Sequence, residues 1–223
     1  MKETPIIMST ENVKAILDSK KTMTRRVMKP PPEELSAGYE WRVIDGVLCA
    51  YRFHPQEGFE TGAFDEEIPY RKCPYGQVGD RMWVKETWRL EMHSGCFDVA
   101  YKDTVWKKDA GSNPYMTKYA HLRDKTWIWR PSIFMPRWAS RINLEIIEVR
   151  VERLQEINGE DACSEGITLP FRVFGDGDSE YYESIGETYI DHFRTLWDSL
   201  NAKRGYGWDT NCWVWVIEFK VIK

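Results

Sequence analysis

The residues best suited to chemistry lie in two short basic segments. Residues 13–29 contain six basic residues and one acidic residue, and residues 121–141 contain five basic residues and one acidic residue. In the second segment arginines alternate with aromatic residues, for example Arg137 with Trp138. Basic side chains bind phosphates and aromatic rings stack on bases, each stack contributing about 1–3 kcal/mol. The composition therefore favours nucleic-acid contact, although the same alternation also occurs on half-buried strands.

The net charge of −4 hides this segregation, because residues 154–191 carry ten acidic residues and one basic residue. The 11 tryptophans divide in a similar way. Three lie on periodic apolar faces and are predicted core residues: Trp197, Trp213 and Trp215. Three others lie among arginines and are candidates for contact with a base: Trp127, Trp129 and Trp138.

Metal and cofactor motifs have little support in this sequence. The five cysteines are far apart and the four histidines are scattered, whereas a zinc site needs three or four converging ligands. The acidic run 176–180 lacks the downstream glutamate and flanking helices of a calcium-binding hand. Phosphate-loop, dinucleotide-binding and nucleophile-elbow motifs are absent from the sequence. We therefore predict no metal and no cofactor.

The overall composition is that of a globular protein, with 42% hydrophobic and 30% charged residues. No apolar run approaches the length of a membrane-spanning helix, and residues 1–14 lack a secretory pattern. The odd number and wide spacing of the cysteines give no disulfide framework. Together, these features predict a cytoplasmic protein with no membrane partner.

Local patterns predict the elements that position the basic segments. A strand over 4–8 leads into a helix that is capped by Ser9 or Thr10 and ends near Ser19. A turn then enters a strand over 21–28. Residues 29–40 are predicted to be a loop and residues 54–79 to be mostly irregular, with a hairpin around Asp45-Gly46 between them.

The second half of the chain continues this pattern. Strands are predicted over 81–90, over 141–153 with a bulge after Ile146, and over 212–222. A short helix runs from Asn158 to Gly166, and a longer one follows a cap formed by Ser184 and Glu187. Many strands with few helices predict an α+β fold built on a small barrel.

Glu86 is an unusual residue within the predicted strand 81–90. Alternation places its carboxylate on one face with Met82, Val84 and Trp88. Such a group either pairs with an arginine, for example Arg141, or lines a pocket; of the two, we favour pairing.

Three segments resemble the ASCH family, a branch of the PUA-like β-barrels. They are the helix end and strand start DSKKTMTRR at 18–26, the strand GDRMWVKE at 79–86, and the terminal strand WVIEFK at 215–220. The stretch 135–157 resembles the longer members found in phages and prophages. The resemblance implies one domain over 1–223, a mixed and mostly antiparallel β-barrel with a few short flanking helices. Inserted loops are expected at about 30–75, 90–130 and 167–186.

The resemblance also implies a function, namely binding of RNA or of a modified nucleoside. One small bacterial member of the family removes the acetyl group from N4-acetylcytidine. By motif, the catalytic residues implied here are Lys21, Thr24 and Glu165. The implied substrate or nucleic-acid contacts are Arg25, Arg26, Glu86, Arg137 and Trp138. Two alternatives stay open: a non-catalytic module that binds RNA or DNA, and a ribonuclease.

Hydrolysis of an amide would require these three groups to converge. Thr24 is a poor nucleophile unless Lys21 has a lowered pKa and acts as its base. Glu165 would either protonate the leaving nitrogen or activate water. Positions 21 and 24 lie on opposite faces of a regular strand, so their convergence requires a turn after the first helix.

Overall fold

The fold is described here from a computed structural model. It describes residues 1–29, 31, 39–44, 47–54, 63–93, 96–102, 104–109, 128–169, 171–174, 181–184 and 188–222. Four features predicted from sequence lie outside the described residues: the Asp45-Gly46 turn, the acidic run 176–180, Trp127 and Glu187.

The described part of the chain contains sixteen α-helices and β-strands. They are β1 (Glu3–Ile7), α1 (Thr10–Leu17), β2 (Met23–Val27), β3 (Tyr39–Ile44), β4 (Val47–His54), β5 (Ala63–Lys72), β6 (Arg81–Lys85), β7 (Trp88–His93), β8 (Cys96–Tyr101), β9 (Thr104–Asp109), β10 (Asn143–Arg153), α2 (Gly159–Ser164), β11 (Phe171–Phe174), β12 (Tyr181–Ser184), α3 (Tyr189–Asn201) and β13 (Trp213–Ile222).

A five-stranded mixed sheet forms the centre of the molecule, in the order β1-β6-β10-β13-β2. β1 runs parallel to β6, and the other neighbouring strands are antiparallel. The strands β1 and β2 are the two edges of this sheet. The fold is therefore α+β, as predicted, with few short helices around a mixed sheet.

The structure also contains three smaller sheets, which are β3-β4-β5, β7-β8-β9 and β11-β12. The prediction that residues 54–79 are mostly irregular is wrong over Ala63–Lys72, which form β5. The register between β4 and β5 shifts at two places. Such shifts interrupt the two-residue period by which a strand is recognised in a sequence.

The predicted strand 81–90 is divided into β6 and β7, which belong to different sheets. Burial still alternates through the break, since Met82, Val84, Glu86 and Trp88 are all buried. The backbone changes partners there: Trp83 pairs with β10, whereas Trp88 forms a bridge to residue 130. The alternation thus predicted the burial correctly but not the change of sheet.

Helix capping follows the sequence at two helices and departs from it at the third. Ser9 caps α1 by accepting from the Asn12 N–H, and Asn158 caps α2 by accepting from the Asp161 N–H. The predicted cap of α3 at Ser184 is wrong: Thr188 caps this helix in a capping box with Asp191.

Strand β13 has both faces buried and separates two apolar clusters. Trp215, Ile217 and Phe219 pack with α1 and the strands β1, β6 and β10. Val214 and Val216 face α2 and α3 on the other side. Of the predicted core tryptophans, Trp197 and Trp215 are buried and Trp213 is partly buried.

Strand β10 carries the predicted bulge, since its pairing with β13 shifts between Ile146 and Glu148. No helix among the described residues combines the length and apolar character that crossing a membrane requires.

We expect Ile217→Ala to lower the free energy of unfolding by about 2–5 kcal/mol, because it removes a fully buried side chain. Ile147→Ala is the matched control, since Ile147 is 44% exposed at the bulge of β10. That change should cost about 0.5 kcal/mol or less. Urea denaturation of both variants measures the two values, and equal losses would contradict the core position of Ile217.

Candidate functional site

A cavity of about 700 Å³ lies between the end of β1 and the strand β2, beside the first turn of α1 and one face of α3. Its volume is within the range of about 300–1,000 Å³ that is usual for small-molecule sites. The wall carries five basic and two acidic side chains: Lys21, Arg25, Arg26, Lys29, Arg204, Glu11 and Glu165. The cavity is therefore locally positive in a chain with a net charge of −4.

Lys21 and Glu165 form a buried ion pair in this wall. The Lys21 Nζ lies 2.5 Å from the Glu165 Oε2 and donates a second hydrogen bond to the Glu165 carbonyl oxygen at 2.7 Å. The two residues are 2% and 5% exposed. Since an unpaired charge in such a place costs several kcal/mol, each residue depends on the other.

A tight turn at the end of α1 delivers Lys21 to this position. Ser19 adopts a left-handed conformation with φ of 58°. The N–H groups of Lys20 and Lys21 then both donate to the Ala15 carbonyl, at 2.8 and 3.0 Å. The chain therefore reverses before regular strand pairing begins.

The turn also explains how Lys21 and Thr24 reach the same cavity. Lys21 forms an isolated bridge with Glu165, and regular β2 starts only at Met23. Lys21 thus lies outside the alternation that would place it opposite Thr24. Both side chains are buried and both line the cavity.

Glu165 is positioned by the C-terminal end of α2. The Thr22 N–H donates to the Ser164 carbonyl at 2.9 Å, which joins this helix end to the chain beside Lys21. Gly166 ends the helix with φ of +88°, as the sequence predicts. A Cβ at this glycine would lie 2.9 Å from the Ala15 Cβ and 3.1 Å from the Lys21 Cβ. Only glycine allows α1 and α2 to approach so closely here.

The electrostatics of the pair are asymmetric. Burial lowers the pKa of the Lys21 ammonium, and Arg26 and Arg25 lower this pKa further, while Glu165 opposes the shift. The Glu165 Oε1 has no hydrogen-bond donor among the described residues, and the Arg25 Nη1 lies 3.6 Å from it. One oxygen of the carboxylate is thus held by Lys21, and the other remains able to accept a proton.

Arg25 has a different place from the one predicted. Its side chain is fully buried and contacts Asp161 at 2.5 Å and Glu152 at 3.1 Å. Arg150 contacts the same Asp161 at 2.9 Å and Glu218 at 2.6 Å. Arg25 therefore lines the cavity but belongs to an internal ionic network, and its charge is already compensated by these carboxylates.

Arg26, which was predicted as a substrate or nucleic-acid contact, lines the cavity. Its Nη2 donates to the Ile7 carbonyl at 2.7 Å and lies 3.2 Å from the Met8 Sδ. This side chain therefore links the two edge strands β2 and β1. Burial lowers the pKa of Arg26, and the nearby Arg204 lowers it further.

The other three predicted contact residues do not line the cavity. Glu86 is buried and forms a bidentate pair with Arg141 at 2.8 and 2.9 Å, which is the pairing favoured from the sequence. Arg137 forms a surface pair with Glu3 at 3.0 Å. The ring of Trp138 packs edge-on against Trp88, with 6.0 Å between ring centroids.

Several cavity residues were not identified from the sequence. Lys29 could have been identified, because it belongs to the basic segment 13–29. Arg204, Tyr75 and Tyr206 line the same cavity but lie far from that segment and belong to no motif. Only the packing of α3 against β2 brings Arg204 and Tyr206 there.

Within the described residues, no three side chains of His, Cys, Asp or Glu are grouped so as to hold a metal ion. No protein-family model, no curated protein and no solved structure matches this chain. The resemblance to the ASCH family therefore depends on its motifs alone.

We expect Gly166→Ala to destabilise the protein more than Gly205→Ala. Both glycines have positive φ, so alanine costs about 1–2 kcal/mol at either position. Gly205 has open space around a new Cβ, whereas Gly166 adds overlap with Ala15 that costs about 1–3 kcal/mol more. Thermal and urea denaturation measure the difference, and equal destabilisation would contradict the close contact between α1 and α2.

Proposed function

We propose that this protein is an ASCH-type member of the PUA-like proteins, and that its cavity binds an acylated pyrimidine nucleoside such as N4-acetylcytidine and hydrolyses the amide. The observation that carries the proposal is the buried pair of Lys21 and Glu165, which shares one cavity wall with Thr24. These are the three residues on which the family's catalytic motif falls.

The sheet order supports the fold part of the proposal. An incomplete barrel would have two edge strands that curve towards each other, and here the Arg26 side chain on β2 reaches the Ile7 carbonyl at the end of β1. The cavity occupies the gap between these edges. We assign this gap as the mouth of a PUA-like barrel.

The contacts of Lys21 and Glu165 suggest which catalytic role each residue has. Lys21 already donates both to the carboxylate and to the carbonyl of Glu165, so it is poorly placed to act as a base for Thr24. The Glu165 Oε1 accepts no hydrogen bond from the described residues. We therefore assign Glu165 as the general base. Lys21 positions this carboxylate and stabilises its ionised form, and Thr24 orients the substrate.

In the proposed reaction, the Glu165 carboxylate accepts a proton from water as the water oxygen bonds to the acyl carbon. The bond between this carbon and the exocyclic nitrogen then breaks, and the proton passes from Glu165 to the leaving amine. The products are the free carboxylic acid and cytidine. The remaining N–H of the Lys21 ammonium is available to stabilise the oxyanion that forms between the two steps.

The direct test is release of cytidine from N4-acetylcytidine by the purified full chain, measured by chromatography. Glu165→Gln keeps an acceptor for Lys21 but removes the base, and should lower kcat/KM by about 10²–10⁴-fold. Lys20→Met is the matched charge control for Lys21→Met, because Lys20 is exposed and does not line the cavity. We expect Lys20→Met to retain activity within about twofold.

Lys21→Met leaves Glu165 buried without its partner, which costs about 3–5 kcal/mol, so its folding must be checked by circular dichroism. The double variant Lys21→Met with Glu165→Gln removes both charges and should be more stable than Lys21→Met alone. A wild-type protein that releases no cytidine, or a Glu165→Gln variant with full activity, would refute the hydrolase proposal.

A surface beside the cavity favours one second candidate, a binding module for single-stranded RNA. Four large apolar side chains are exposed there and are named the apolar rim: Ile128 (55%), Trp129 (39%), Ile133 (58%) and Phe134 (69%). Arg89 lies over the Trp129 ring at 4.5 Å. The adjacent Ser132 lines the cavity, so the rim and the cavity are continuous. The ribonuclease alternative stays a prediction.

For this second candidate, Phe134→Ala should weaken binding of a short single-stranded RNA by about 1–3 kcal/mol, the contribution of one stacked base. Val78→Ala serves as the control, because Val78 is 58% exposed and does not line the cavity. Fluorescence anisotropy at two salt concentrations measures both. Equal affinities for the wild type and Phe134→Ala would exclude the apolar rim as a stacking surface.

A further inference from the structure

Three cations of the cavity wall have no carboxylate within 4.0 Å among the described residues. They are Arg26, Lys29 and Arg204, here named the cation cluster. Other arginines do have such partners, for example Arg137 with Glu3 and Arg194 with Asp209. The cation cluster thus has no direct ion pair among the described residues, although Glu165 is near enough to Arg26 to oppose the lowering of its pKa.

Arg26 is the best fixed member of the cation cluster. Its Nη2 is held by the Ile7 carbonyl, while its Nε is buried without a hydrogen-bond partner among the described residues. Arg204 is close enough to lower the pKa of Arg26. Two like charges that converge in a partly buried wall repel each other, and an anion between them removes this cost.

The other members are positioned by the segment after α3. The Lys29 Nζ lies 4.2 Å from the centre of the Tyr206 ring. Tyr206 is held in turn by the Trp197 Nε1, which donates to its carbonyl at 2.7 Å. Arg204 precedes Tyr206 by two residues and lines the same cavity. The aromatic contacts therefore place Lys29 and Arg204 on one side of the cavity.

The first turn of α1 adds to the positive potential. Ser9 and Thr10 line the cavity at the N-terminal end of this helix, where unpaired N–H groups favour an anion. Glu11 lies in the same wall and opposes the effect. Lys21 and Arg25 are already paired with carboxylates, so the cation cluster, set against Glu11, still leaves the wall positive.

The cation cluster extends along β2 from the buried pair to more exposed positions. Arg26 is near enough to Glu165 for this carboxylate to oppose the lowering of the Arg26 pKa. By contrast, Lys29 and Arg204 are exposed. Lys21 precedes this strand and Lys29 follows it, and an extended chain advances about 3.3 Å per residue. The cavity thus has a buried end with Lys21 and Glu165 and a more exposed cationic end. A ligand that matches both ends carries a polar base at one end and a negative charge at the other.

We infer that the cavity takes a nucleotide, whose phosphate group is bound by the cation cluster while its base lies against Lys21 and Glu165. This inference rests on the proposed function, because it adopts the same base-binding end. The phosphate belongs either to a free nucleotide or to the 5′-phosphorylated end of a strand, and both present the same dianionic group.

Calorimetric titration of the full chain with cytidine, with cytidine 5′-monophosphate and with a 5′-phosphorylated tricytidylate tests the inference. We expect the monophosphate to bind about tenfold or more tightly than cytidine, and this advantage to shrink as salt is raised. A tricytidylate that binds more tightly than the monophosphate assigns the phosphate to a strand end, and weaker binding assigns it to a free nucleotide.

Arg204→Gln should weaken binding of the monophosphate by about five- to tenfold and leave cytidine within about twofold. Lys203→Gln is the matched control, since Lys203 is exposed, adjacent in sequence and outside the cavity wall, and it should change neither affinity by more than about twofold.

Three outcomes would overturn the inference. Equal affinities for cytidine and its monophosphate, or equal losses in Arg204→Gln and Lys203→Gln, remove the phosphate site but leave the proposed nucleoside function in place. Absence of binding by all three ligands removes the proposed function together with the inference.

Discussion

The ammonium of Lys21 and the carboxylate of Glu165 are both withdrawn from water, and each is tolerated only while the other is in place. This mutual dependence fixes the turn after α1, the end of α2 and the distance between these helices. The close approach of the two helices is most demanding at Gly166, because only a residue without a side chain allows the end of α2 to reach Lys21. The wall of the cavity follows from this one contact.

A second ionic layer supports the first. Arg25 lies between Asp161 on α2 and Glu152 on β10, and Arg150 joins the same carboxylates to β13. The charge of Arg25 is thus compensated within this layer. The adjacent Arg26 has no such partner among the described residues. Neighbouring arginines of one strand thus differ in their partners, although both line the cavity.

Local patterns in the sequence predicted local structure well. The caps at Ser9 and Asn158, the bulge after Ile146 and the helix end at Gly166 all depend on residues close together in the chain. The partner of Glu86 was also predicted: it is Arg141, which lies two residues before β10. The cap of α3 was misplaced because Ser184 and Thr188 offer the same chemistry four residues apart.

Distant contacts could not be predicted in this way. Arg137 is of the residue type expected at a phosphate, but Glu3, 134 residues away, pairs with it at the surface. The division of 81–90 between two sheets likewise depends on residues 128–141, which no pattern within the strand reveals. Arg204 and Tyr206 reach the cavity only through the packing of α3. The motif therefore drew attention to Lys21, whereas only the tertiary structure shows which residues surround it.

The strand β2 pairs with β13, so that Val27 lies opposite Val214, and Lys21 meets Glu165 across 144 residues. Such pairings give the central sheet a high contact order, and the loops that they close must lose their entropy before the contacts form. The wall of the cavity therefore requires distant parts of the chain to meet, and the small outlying sheets alone do not contain it.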